Sequence, residues 1–159
     1  MNNSFTVRYK ASDLLLTLPI IAFFAVLAVF MLIFSSMKAL SVVFLIMLAP
    51  AAAALIFPVL LFSLKVDGDK LYSSSRSGKK YDFTLKDIEN ISYREYSRGK
   101  YGPRFFLEIR TADKTVTLRR TMKGFGELAA YLLDRYGSGE LAPFVIPKKS
   151  LKSLQELAQ

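Results

Sequence analysis

The side chains of this chain with chemistry to offer are mostly cationic. Arg76, Lys79 and Lys80 fall in one polar stretch, Arg98, Lys100 and Arg104 in a second, and Arg119, Arg120 and Lys123 in a third, with Tyr96 and Tyr101 flanking the second group. Held close to an anionic membrane surface, such groups each contribute on the order of 1 kcal/mol of attraction. Arg76, Lys79, Lys80, Arg98, Lys100 and Arg104 are therefore the candidate contacts for an anionic head group or a partner. The plainer reading of the same residues is that they are solvated turns.

Catalytic chemistry finds little to work with. The chain has no histidine, the commonest general base and metal ligand, and no cysteine, so neither a disulfide framework nor thiol chemistry can be argued. The nearest carboxylate pairs, Asp67/Asp69 and Asp87/Glu89, both fit turns, and Ser73-Ser74-Ser75 lacks a base to activate a hydroxyl. There is no phosphate-cradling glycine loop and no RNA-binding strand motif. The expectation is a protein that is not an enzyme, with no cofactor, no metal, no nucleic acid and no small-molecule substrate.

What must position the cationic groups is dominated by two apolar runs. Leu14 to Phe34 is 21 residues without a charge, and after Ser35-Ser36-Met37-Lys38 a second uncharged run of 26 extends from Ala39 to Leu64. About 20 apolar residues at roughly 1.5 Å each cross a bilayer's hydrocarbon core, so 14–64 reads as a transmembrane hairpin with spans 14–34 and 39–64. A cleaved secretory signal would have a shorter apolar run and a small-residue cleavage pattern. Burial inside a soluble protein fails on supply, because the 95 residues after Leu64 cannot cover two helices that are apolar all round. No Asp, Glu, Lys or Arg lies inside either span, which argues against an ion path.

Charge sets the orientation. The formal net charge is +9, and Lys65 to Gln159 carries 19 Lys and Arg against 12 Asp and Glu, a net of +7. Arg8 and Lys10 precede the first span, and only Lys38 lies between the two. The positive-inside rule then puts both termini in the cytoplasm and the short connection on the far side of the cell membrane. Pro50 and Pro58 are expected to kink the second span, and Ala49 and Ala53 mark a small-residue face for packing against the first helix or another subunit.

Outside the spans, residues 1–13 read as a short cytoplasmic segment, in which Ser12 or Asp13 can accept from the amides opening the first helix. Residues 65–137 alternate like a small antiparallel domain: a hairpin at 65–72 turning on Gly68-Asp69, then strands at 81–85, 91–96, 105–110 and 115–119. Phe125, Leu128, Ala129, Leu132 and Tyr136 then form one helical stripe, stopped at Gly137. The predicted fold class is a membrane α-helical hairpin plus an α+β domain, its curved sheet closed by one C-terminal amphipathic helix. Residues 138–159 read as a weakly ordered tail, or else as a short docking helix through Leu151, Leu154 and Ala158.

Two N-terminal spans, Val66-Asp67-Gly68-Asp69-Lys70-Leu71, the step Leu85-Lys86-Asp87-Ile88-Glu89-Asn90-Ile91, Phe106-Leu107-Glu108-Ile109 and a last amphipathic helix together resemble the bacterial membrane-anchored PH-like domain proteins, families mostly of unknown function. The resemblance covers roughly Leu14 to Tyr136 and implies a PH-like half-open barrel, here shorter than a full seven-stranded one. It brings no catalytic residue. Two functions follow as expectations. One is a non-enzymatic accessory or assembly factor whose PH-like domain binds another membrane protein, or a second copy, at the cytoplasmic face; the other is a sensor of anionic lipid using the basic loops. Enlarging Ala53 or charging Leu154 should disable the first, and neutralising Lys79, Lys80 and Arg104 the second.

Overall fold

A computed structural model of the chain describes residues 4–15, 18–34, 38–75, 77–97 and 103–158. Two helices long and apolar enough to cross a membrane stand beside an α+β body of two antiparallel sheets and two C-terminal helices. The first apolar helix is described as α1 (Ala11–Leu15) and α2 (Leu18–Phe34), the second as α3 (Lys38–Leu61), which runs through Pro50 and Pro58 without a break. Asp13 accepts a hydrogen bond from the Lys10 amide at 3.2 Å, satisfying one of the free donors at the start of α1.

α2 and α3 pack on each other along matching stripes. The less exposed positions are Ile21, Ala25, Ala28, Met31 and Leu32 on α2 and Leu45, Leu48, Ala52, Ala53, Ile56 and Val59 on α3, close to the spacing that keeps one face turned to a partner helix. Ala28 is fully buried and Ala53 half-buried, whereas Ala49 is exposed and lies off the seam. The rest of the body leaves both helices uncovered: 6% and 0% of their most apolar stretches are buried. Large side chains such as Phe23, Phe30, Ile46, Met47 and Leu60 are open to the surroundings.

The first departure from expectation is at the N-terminus. Residues 4–8 are not a featureless segment but strand β1 (Ser4–Arg8), paired antiparallel with β2 (Ser63–Asp67) so that Val7 faces Leu64. β3 (Lys70–Ser74) and β4 (Lys80–Thr84) complete a sheet in the order β1-β2-β3-β4. A 3₁₀ turn, Leu85–Asp87, leads to the second sheet, β5 (Ile88–Ser97), β6 (Pro103–Thr111) and β7 (Thr115–Arg119), in that order. The described strands number seven rather than the shorter set expected, and the addition is β1. The domain also begins earlier than 65, because α3 stops at Leu61 and Leu64 is already a buried strand residue.

The second departure is the tail. Two helices, not one, follow β7: α4 (Phe125–Gly137) and α5 (Lys148–Leu157). Leu141, Val145, Ile146 and Leu154 are buried in the same core as Leu64, Ile91, Leu107, Leu118, Leu128 and Leu132. The Val145 carbonyl accepts from the Ile91 amide at 2.7 Å, and Ser150 Oγ accepts from the Tyr93 amide at 3.0 Å, so residues 145–150 satisfy the otherwise open edge of β5. Residues 138–158 are thus part of the fold. α4 is tied to the first sheet at its middle by Tyr131, whose hydroxyl donates to the Gly68 carbonyl at 2.7 Å in the turn between β2 and β3.

Gly124, just before α4, has φ +81°, and a Cβ there would sit 2.7 Å from the Thr6 carbonyl oxygen of β1. Only glycine lets the two backbones approach so closely. Two substitutions test these contacts by thermal unfolding in detergent. Leu154→Ala should cost about 2–5 kcal/mol, as for a core leucine, where a free tail would show no change. Gly124→Ala should cost at least about 1–2 kcal/mol from the left-handed backbone alone.

Candidate functional site

The register of the first sheet defines two ends. Arg8, Ser63, Ser74 and Lys80 form one terminal rung, next to the apolar helices, and Ser4, Asp67, Lys70 and Thr84 form the opposite one. Between the hairpin-end rung and the helices lie only Tyr9 and Lys10 on one side and Phe62 on the other, and the Tyr9 and Phe62 rings meet edge to face at 5.7 Å. Neither that rung nor residues 75–79 contains a carboxylate. The opposite end carries Asp67, Asp69 and Asp87 among Lys70 and Lys86.

Lys79 and Lys80 are exposed at the hairpin end. They are held there by a tight turn in which the Ser75 amide donates to the Lys79 carbonyl at 2.7 Å and Ser75 Oγ accepts from the Ser77 and Lys79 amides. Gly78 in this turn has φ +80° and lies against the Leu61 side chain at the end of α3. Arg76, Arg98 and Lys100 lie outside the described residues. Lys123 joins the same end, because it exchanges backbone hydrogen bonds with Arg8 at 2.9 and 3.2 Å.

Pairing of β6 with β7 brings together cations that the sequence separates. Phe106 faces Arg119 across the ladder, and the Arg120 amide donates to the Phe105 carbonyl at 3.2 Å. Arg104, Arg119 and Arg120 thereby line one recess of about 270 Å³ with Phe105, Phe106 and Thr121. The Arg119 guanidinium lies 5.7 Å from the Tyr9 ring and 5.9 Å from the Phe106 ring, and Arg120 lies 5.5 Å from Phe105. Stacking of this kind holds a guanidinium while leaving its edge free to donate. Burial pushes the Tyr93 hydroxyl above its ordinary pKa of 10.0, and the adjacent Arg120 pulls it the other way.

Two further clefts separate β4 from the second sheet. The larger, about 600 Å³, is floored by Phe62 and Val116 and rimmed by the hydroxyls of Ser73, Ser75, Ser77, Thr115 and Thr117, with Lys114 Nζ 3.4 Å above the Tyr81 ring. The other, about 470 Å³, holds Asp82, Asp87, Glu89 and Asp113 beside Lys86 and Lys114. Among the described residues no group of three or more acidic side chains is placed to hold a metal ion. Asp87 is occupied locally, accepting from the Thr84 amide at 2.7 Å and the Thr84 hydroxyl at 2.9 Å, and these bonds hold its carboxyl below the ordinary 3.8. Asp67 pairs with Lys65 at 3.2 Å and Asp69 with Arg135 at 3.5 Å.

No family model, curated protein or solved structure matches this chain.

The Asp87 bonds carry a pH signature. A depressed carboxyl pKa contributes stability that is full above the unfolded value of 3.8 and lost as pH falls through the lower folded value. In melts from neutral to acid pH, the advantage of the wild type over Asp87→Ala should be constant at first and shrink below that value. A gap that does not change with pH would contradict the assignment.

Proposed function

We propose that this chain is an integral membrane protein that crosses the cytoplasmic membrane twice, with both termini in the cytoplasm, and holds a PH-like domain directly against the inner leaflet. The domain is a non-enzymatic module that contacts anionic lipid. The observation that carries this reading is the coincidence of the cationic end with the helix junction. Arg8, Lys10, Lys79, Lys80, Arg119 and Lys123 lie at the end from which both apolar helices leave, one residue or two from the strands. So short a connection leaves the domain little room to move away from the surface it grows from.

Other features support the parts. Two helices whose apolar side chains the body leaves uncovered have a natural solvent in hydrocarbon. Strand pairing across the hairpin requires its two ends to be on one side, as the positive-inside assignment also does. Tyr9 and Phe62 lie where aromatic belts form. Two antiparallel sheets followed by an amphipathic helix are compatible with the half-open barrel that the PH-like resemblance implies, although the strands number seven rather than fewer and a second helix follows. Two features that favoured a protein partner are instead used within the chain: Leu154 in the core and Ala53 at the α2–α3 seam.

The absence of cysteine makes single-cysteine labelling clean. A membrane-impermeant maleimide should label Lys38→Cys in intact cells and Lys70→Cys only after permeabilisation. In vesicles containing head-group nitroxide lipid, a fluorophore at Ser77→Cys should be strongly quenched. One at Lys70→Cys, about 13 Å further along the strands at roughly 3.3 Å per residue, should be quenched weakly. Equal quenching, or the reverse labelling, would overturn the proposal.

A further inference from the structure

We infer that the recess formed by Arg104, Arg119 and Arg120 is a binding site for the phosphate of an anionic phospholipid head group. The inference deepens the leaflet-contact reading and rests on it for the source of the ligand. Three observations converge on the recess.

The first is chemical. Three guanidiniums line one cavity with no carboxylate among its lining residues, and none of the three forms an ion pair among the described residues. Arg135 shows the contrast, since Glu140 accepts from it at 2.7 Å and Asp69 lies 3.5 Å away. The planar fork of arginine matches two phosphate oxygens at once. The second is an unmet donor. Arg119 Nε is enclosed and has no hydrogen-bond partner among the described residues, as is also true of Arg135 Nε. Arg119 differs in having no carboxylate partner for the rest of its guanidinium, which an acceptor reaching the recess would supply.

The third is location. Arg119 lies against Tyr9, whose ring meets that of Phe62 edge to face at the point where the apolar helices begin. Tyr96 is exposed nearby, its ring 5.4 Å from that of Phe106. A cationic recess edged by aromatic rings at that depth meets lipid phosphate rather than bulk solvent. Its selectivity follows from the missing carboxylate: no lining side chain can pair ionically with the ammonium of a zwitterionic head group, the arginines repel it, and the Phe105 and Phe106 rings already face Arg120 and Arg119. An anionic head group such as phosphatidylglycerol, with phosphate and hydroxyls only, fits.

The test uses the full chain in mixed micelles of phosphatidylglycerol and phosphatidylcholine, with native mass spectrometry reading the retained lipid. The wild type should retain phosphatidylglycerol over phosphatidylcholine by roughly tenfold or more, as a few charge-assisted hydrogen bonds supply. R104Q/R119Q/R120Q should lose the preference and K79Q/K80Q should keep it. Thr121→Glu, which places a carboxylate at the recess while leaving every arginine in place, should lose it too, guarding against a triple variant that fails to fold. Equal retention by the wild type and Thr121→Glu would overturn the site, as would binding of free glycerol phosphate without lipid preference. Micelle retention does not depend on how the domain sits on a bilayer, so this result and the quenching result fail independently.

Discussion

Five residues at the N-terminus pair with five that follow the second apolar helix, and the rest of the architecture depends on that pairing. β1 and β2 are neighbours in one sheet, yet the whole apolar hairpin is inserted between them. Closing the ladder brings both ends of the hairpin together. It also sets β1 against the residues after β7 through Arg8 and Lys123, and against the start of α4 at Gly124. Without β1, Val7 would leave the core, β2 would become an exposed edge, and the domain would hang from one helix instead of two.

The same closure explains the charge pattern. Strand register carries Arg8 and Lys80 to one rung, the turn at 75–79 extends past it, and Arg119 reaches Tyr9 from the second sheet. Arg8, the Lys79-Lys80 pair and Arg119 come from three separate parts of the sequence, and no ion pair among the described residues neutralises them. Like charges gathered at one end repel, and an anionic surface offsets that cost. Stability of the domain comes from elsewhere: the core along Leu64, Leu107 and Leu118, covered by α4 and closed over β5 by residues 141–157.

Much of this was legible from residue types. The apolar helices, the alternation at 105–110 and 115–119 and the stripe from Phe125 to Tyr136 follow from hydrophobic period alone, and the observed elements agree within a few residues. β1 was missed although Phe5, Val7 and Tyr9 alternate, because five residues make no stable strand alone and the partner lies beyond the hairpin. Of the two readings of the tail, the short helix through Leu151 and Leu154 is α5. The order of residues 138–147 was not legible because Pro143 and Pro147 break any period, leaving Leu141, Val145 and Ile146 as scattered apolar residues whose burial depends on the β5 edge. The arginine recess was within reach. Strands joined by the turn at 111–114 place 106 opposite 119, and the meeting of Arg104 with Arg119 and Arg120 follows from that register.

The most direct test of this account is a disulfide across the middle rung of the β1–β2 ladder. Thr6 and Lys65 are exposed register partners on β1 and β2, and antiparallel neighbours about 4.5–5.5 Å apart at Cα are within disulfide reach. In native membranes under mild oxidation, T6C/K65C should form an intramolecular bond in high yield, while the off-register pair T6C/K70C should form little. Failure of the first pair to close, or equal closure of both, would mean that β1 is not the neighbour of β2. The domain would then have no double attachment to hold its cationic end at the helix junction.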